Sequence, residues 1–315
     1  MKLISPSHEI WEQDTSGKPL HSSATSAETM QESLLHGIYA QIERAGRVCY
    51  KSEDKITNDS AKAFVDRLIE SKHYAMLEHG TVYLKVHFES KQELFKSDIL
   101  DRYDHNAYSK WQRGLVLSEG TLQKEVVKGE NLLITTNYRV IVENGWQKDL
   151  DYLCIPSFFH VPRITVHLTT CRTVTHELVR HRHMSFAQES TRYCNYMKGK
   201  FGSELTFIRP NWLATEPVLL EDPKYAESKR EFLGCLENIE STYCTLISNG
   251  WKPQQAATIL PNALKAEIVV TGFIDDWKHV FDLRVKGTTG APHPQMKEVM
   301  EPVWKEFVKR KYIQQ

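Results

Sequence analysis

The sequence lacks any excess of charge. Forty Lys and Arg balance forty Asp and Glu across 315 residues, which argues against a general nucleic-acid binder, since such proteins carry a net or one-sided basic charge. It lacks cysteine pairing signals: of six cysteines (Cys49, Cys154, Cys171, Cys194, Cys235, Cys244) none forms a C-x-x-C pair. A disulfide framework is not expected at this length, and the thiols read as reduced, in a cytoplasmic protein. No run is long and apolar enough to span a membrane, and the N-terminus lacks the apolar core of a signal peptide. Glycine is sparse, at 15 residues, and forms neither G-x-G-x-x-G nor a P-loop, so a bound nucleotide would not sit in a Rossmann or Walker site. Repeats and low-complexity tracts are absent, and few Gly/Pro/Ser linkers interrupt the chain. A core can form without staples at this size.

What is present is mixed patterning. Residues 12–28 are polar and read as a loop. Met30, Leu34, Leu35, Ile38 and Ile42 recur at helical spacing, and a second helix follows in 58–74, with Asp59 or Ser60 as its cap. Residues 81–88 (TVYLKVHF) alternate as a strand does. Residues 89–131 are charged and weakly patterned, an insertion-like excursion that is partly helical. Strand-like pieces come next, at 131–146 and 163–171, then a helix over 172–183 with 185–193 as its exit loop. Helices are expected within 223–248, in 253–261, over most of 262–284, and from Pro294 onward, where Pro302 marks a kink or break. One α/β domain spanning 1–315 is expected, with a partly irregular N-terminal segment over 1–28.

The densest chemistry lies in HELVRHRHMSFAQESTRY, residues 176–193. A zinc site of the H-E-x-x-H type fails on spacing: His176 and His181 are five apart, and five helical steps at about 100° each overshoot the shared face. No metal is expected. A solvated basic helix end is the plain alternative, because cations near a helix C-terminus are favourable. Two features favour an anion pocket instead. The preceding segment is largely uncharged and internal, and the donors that follow (Ser185, Gln188, Ser190, Arg192, Tyr193) need partners beside a buried helix end. Arginine's planar fork suits phosphate oxygens. Arg180, His181 and Arg182 are consecutive, so they are expected to fan out about 100° apart and not all to point into one small site. They would serve two ligands, or one ligand and a neighbouring subunit.

The stretch RHRHMSFAQESTRY resembles the signature R-H-R-x-x-S-x-x-x-x-S-x-R-Y of the flavin-dependent thymidylate synthases, through Arg180, His181, Arg182, Ser185, Ser190, Arg192 and Tyr193. Other segments agree in order. MLEHGTV resembles the family's Glu-His element (Glu78, His79), TTNYR its Asn-x-Arg strand, ILP with FDLR its C-terminal block, and HPQMKEVM its closing helix. The likeness is firm over about 163–196 and 253–300 and looser over 34–88.

The resemblance implies an α/β (α+β) fold with a central, mostly antiparallel sheet flanked by helices. It implies reductive methylation of dUMP to dTMP, with FAD as cofactor, NADPH and methylenetetrahydrofolate as co-substrates, and a homotetramer with shared active sites; neither nucleic acid nor membrane is a partner. A related flavin-dependent enzyme acting on another pyrimidine nucleotide, or giving another product, is the alternative. Carried over, Arg284 promotes ionisation of the uracil ring. Glu177, Arg180, Gln188, Ser190, Thr191, Arg192 and Arg284 bind dUMP. His79, Thr81, Arg180, His181, Arg182, Gln188, His279 and His293 contact FAD. Cys194 is expected to be structural, and Ser190, without an evident base, a hydrogen-bonding group. The chain departs from the family at three positions. Ala257 stands where the family places a dUMP-binding arginine, leaving Lys265 or a residue of 89–131 to replace it. Phe273 stands where many members have Asn, and Gln188 where Glu is common.

Overall fold

In a computed structural model of the chain, residues 1–18, 30–117, 126–213 and 223–314 are described. The elements run β1 (Lys2–Ile4), β2 (Ser7–Trp11), α1 (Met30–Tyr50), α2 (Ser60–Glu70), β3 (Thr81–Phe88), α3 (Lys91–Phe95), α4 (Asp98–Asp104), β4 (Lys110–Leu117), β5 (Val126–Asn137), α5 (Tyr138–Glu143), β6 (Arg163–Cys171), α6 (Arg172–Leu178), β7 (Ser185–Gln188), β8 (Thr206–Ile208), α7 (Pro223–Ser248), α8 (Pro253–Ala256), β9 (Lys265–Phe273), α9 (Ile274–Phe281) and α10 (Pro294–Lys309).

Two antiparallel sheets, flanked by helices, dominate. One has the order β2-β6-β9-β7 and the other β3-β5-β4, while β1 and β8 form a short parallel pair. The first sheet is covered on both faces. Val166, Leu168, Ile268 and Val270 pack with Trp277 and Phe281 of α9 and with Met296, Met300 and Phe307 of α10. On the opposite side Val269 and Ala187 meet Ala45 and Val48 of α1. The other end of α1 serves the second sheet, where Leu34, Ile38 and Ile42 pack with Val82, Leu84, Leu132 and Ile134. A single long helix thus joins both cores, and its helical spacing matches the expectation. Gly37 lets the Asp14 backbone pass close against this helix: a Cβ there would meet the Asp14 carbonyl oxygen at 2.0 Å.

The structure corrects several expectations. Residues 265–273 form the central strand β9, not helix. A strand buried on both faces shows no alternation, so its apolar run mimics a buried helix; the β-branched Ile268-Val269-Val270 was the signal that favoured strand. Residues 185–188, expected as loop, are strand β7, with Ser185 opposite Thr271 and Gln188 opposite Ile268. The helix expected over 172–183 stops at Leu178. Residues 138–143, expected as strand, turn helical because the Asn137 side chain accepts a hydrogen bond from the Val140 N–H at 3.1 Å and caps a helix there. The helix from Pro294 runs unbroken through Pro302, whose ring lies on its exposed side. Asp59 occupies the N-cap position of α2 without a side-chain capping bond. The excursion over 89–131 supplies α3, α4, β4 and the start of β5, with 118–125 outside the described residues, as is 19–29 of the expected N-terminal loop.

Candidate active site

Strand β6 ends at Cys171 and the chain turns directly into α6, whose Val174 and Leu178 are buried. After Leu178 the backbone tightens into successive turns. Arg180 N–H reaches the Glu177 carbonyl (3.4 Å), His181 N–H the Leu178 carbonyl (3.0 Å), and Met184 N–H the His181 carbonyl (3.1 Å). Since the helix has ended, helical fanning does not govern this segment. Arg180, His181 and Arg182 all line one cavity of about 780 Å³, contrary to the expectation that they separate.

The opposite wall comes from α9, the π-helical turn Asp282–Lys286 and residues 289–293. Single π-turns recur at functional sites. This one closes at Gly287, whose φ of +69° favours glycine, and where a Cβ would meet the Gly290 carbonyl oxygen at 2.9 Å. The turn presents Arg284. Its Nη1 donates to Glu177 Oε2 at 2.5 Å, its Nη2 to the Glu177 carbonyl at 3.3 Å and its Nε to His181 Nε2 at 3.2 Å. An arginine cannot accept, so His181 Nε2 must offer a lone pair and the imidazole is neutral, with its proton on Nδ1. The electrostatics agree. Burial first, then Arg284, His279 and Arg180, pull the His181 pKa down to about 4. His279 stands edge-on to it, with ring centroids 5.9 Å apart.

The cavity thus gathers the expected residues Glu177, Arg180, His181, Arg182, His279, Arg284 and His293. It adds His183 and Asp276, which the sequence reading did not select. Asp276 carries a carboxyl pushed up by burial, and it also caps α9 by accepting from the Phe273 N–H at 3.2 Å. His183 lay within the motif. Asp276 lies three residues past the end of β9, inside a stretch expected as helix, and no local pattern set it apart. With Glu177 committed to Arg284, cations outnumber acids around the cavity, and the arrangement suits an anion carrying several oxygens.

The remaining expected residues lie elsewhere. On β7, Gln188 Nε2 donates to Thr175 Oγ1 at 3.1 Å. Ser190 Oγ accepts from the Arg192 N–H at 3.3 Å, and Thr191 is half-buried beside it. Arg192 is exposed, lies 5.2 Å from the Tyr193 ring centre and donates to Gln254 Oε1 at 3.2 Å. His79 and Thr81 are buried. His79 Nδ1 pairs with Thr271 Oγ1 at 2.8 Å, and burial holds its pKa down to about 3. The Lys265 ammonium is engaged by Glu189 (2.8 Å) and Glu267 (2.7 Å). Cys194 is buried in an apolar cluster with Tyr196 and Phe207. Among the described residues, no group of three His, Cys, Asp or Glu is arranged to hold a metal ion, and no helix is long and apolar enough to cross a membrane.

A sequence profile of the thymidylate synthase complementing protein family matches residues 137–310. The chain belongs to that family. The matched span of this thymidylate synthase complementing protein family member holds the cationic turn, Arg284 and most of the cavity wall. Its relatives include flavin-dependent thymidylate synthases of Corynebacterium efficiens (34% identical over 121 residues, 36% of this chain and 45% of the relative), Corynebacterium diphtheriae (34% over 132 residues, 39% and 49%) and Pyrococcus furiosus (31% over 155 residues, 48% and 59%). The chain spans about half the length of these curated relatives. A UMP/dUMP methylase, PolB from Streptomyces cacaoi, solved with 5-Br dUMP, is similar at 16% identity over 98% of this chain and 93% of that one, with a TM-score of 0.41.

Proposed function

We propose that this protein is a flavin-dependent thymidylate synthase, which converts dUMP to dTMP using methylenetetrahydrofolate, FAD and NADPH. The observation that carries the reading is one cavity lined by Arg180, Arg182 and Arg284, with Arg284 bonded to a neutral His181. Its volume of about 780 Å³ falls within the range of cofactor pockets, and its arginine forks match the oxygens of a pyrophosphate. Arg180, His181, Arg182, His279 and His293 would hold FAD, which when bound supplies the redox chemistry.

The protein's own contribution is positioning and charge. Arg284 is aimed by Glu177 through its Nη1 and main-chain contacts and by His181 through Nε. A guanidinium fixed in this way stabilises negative charge developing on a pyrimidine carbonyl, and its reorganisation cost is already met in the folded state. His181 stays neutral and so adds no competing cation. Gln188, Ser190, Thr191 and Arg192 lie beyond the cavity. These residues fit a homotetramer in which the dUMP site of one subunit is completed by another. A cytoplasmic location suits these substrates.

A second reading changes the product while keeping the flavin. It is favoured by Ala257 and by the engagement of Lys265 with two carboxylates, which together leave a familiar phosphate contact unfilled. One assay separates the readings. Purified protein should take up FAD and turn yellow, and should release dTMP, identified by mass, only when folate donor and reductant are both present. Protein that stays colourless with added FAD refutes both, whereas a flavoprotein yielding a different nucleotide mass supports the second.

A further inference from the structure

The motif serine Ser185 does not face the cavity. It begins β7 and is buried, 1% exposed, and its hydroxyl meets Arg163, the first residue of β6. Arg163 is itself buried, and burial brings its pKa down to about 10. Its three hydrogen bonds go to neutral acceptors rather than to a carboxylate: Nη2 to the Glu78 carbonyl (3.0 Å), Nη1 to Thr81 Oγ1 (3.3 Å) and Nη2 to Ser185 Oγ (3.4 Å). Its guanidinium lies 5.6 Å from the Phe273 ring centre, and Lys110 lies 5.0 Å from the same ring. An aromatic face offsets part of the cost of burying a cation. That cost is substantial for an ion without a matched partner, and a hydrophobic residue would avoid it. The contacts explain why a planar fork serves here, since one group reaches the end of the 74–79 turn, the start of β3 and the start of β7 at once.

The consequence falls on the cationic turn. Residues 179–184 are clamped at one end by α6. At the other end Met184 packs against Gly272, where a Cβ would meet its terminal methyl at 2.7 Å, and Ser185 follows directly. We infer that Arg163 is a positioning residue: by holding Ser185, Thr81 and the Glu78 carbonyl together it fixes where Arg180, His181 and Arg182 present their charge to the cavity. The ligand arm of the inference rests on the function proposed above.

The test compares Ser185→Ala, Arg163→Met, Arg163→Lys and the Ser185→Ala/Arg163→Met double variant with the wild type, by hydrogen–deuterium exchange and by FAD titration. The bond to Ser185 is long, so its removal should speed exchange in 179–185 by about three- to tenfold, with 78–82 unchanged. Arg163→Met should speed both segments, and Arg163→Lys, which keeps the charge but not the fork, should fall between. FAD affinity should drop by a similar factor in Ser185→Ala and further in Arg163→Met, and the double variant should be no worse than Arg163→Met alone, as expected for two groups acting through one contact. Unchanged exchange in 179–185 overturns the inference, as do losses of FAD affinity that multiply. Ser185→Ala removes one hydroxyl only, so it decides the matter even if Arg163→Met fails to fold. A wild type that takes up no FAD defeats the proposed function while leaving the exchange comparison decisive for the positioning role of Arg163.

Discussion

Glu177→Gln isolates the charge of the group that aims Arg284. Glutamine keeps the volume and a carbonyl oxygen able to accept from Arg284 Nη1, and the main-chain carbonyl of residue 177 still accepts from Nη2 at 3.3 Å. The guanidinium therefore stays tethered, and the loss is the difference between a charge-assisted and a neutral hydrogen bond. A bond to a charged group contributes about 1.5–3 kcal/mol and a neutral one about 0.5–1.5, so the variant should be destabilised by about 1 kcal/mol. Both side chains are less than a quarter exposed, at 17% and 24%, so solvent screens the pair only partly. A loss of that size lowers the melting temperature of a 315-residue chain by about 1.5 °C, taking an unfolding entropy of about 2.1 cal/mol/K per residue. The substitution also leaves one more uncompensated cation in the cavity. Added pyrophosphate should then stabilise the variant more than the wild type, recovering part of the lost melting temperature. Turnover should fall because Arg284 is held less firmly. Thermal melts with and without pyrophosphate measure the first two effects. An unchanged melting temperature, or equal pyrophosphate shifts in the two proteins, would refute the account of Glu177 as counter-charge.

Two more outcomes are expected. His181 and His79 have folded pKa values near 4 and 3, below the ordinary 6.5. The unfolded chain therefore binds protons that the folded one refuses, and their contribution to stability, complete above about pH 6.5, is lost as pH falls toward 4 for His181 and toward 3 for His79. Urea midpoints taken from about pH 7.5 down to about pH 4.5 should decline, and the slope should flatten in His79→Gln; an equal slope in that variant counts against the assignment. Arg192→Ala removes an exposed side chain, so stability should hardly change, while dUMP affinity drops about tenfold or more with FAD content intact; unchanged dUMP binding in a titration removes Arg192 from the nucleotide site.

The sequence by itself determined the helical stripe of α1, the alternation of β3 and the crowding of cations at 180–182, because each of these is a local pattern: a period of 3.6, a period of two, and adjacency. Resemblance to a family, not a local pattern, singled out Arg284, and no local rule says which residue that arginine meets. Tertiary structure decided the rest. The apolar run at 265–273 became a strand because β6 and β7 flank it and helices cover both faces, so its burial erased the period that would have marked it. The three cations share one cavity because α6 ends at Leu178, and only the packed turn makes their side chains converge. Lys265 lost its free charge to Glu189 and Glu267, and Arg163 found Ser185 and Thr81 from 22 and 82 residues away. Such pairings are fixed by the folding of distant strands against one another, and no window of neighbouring residues contains them.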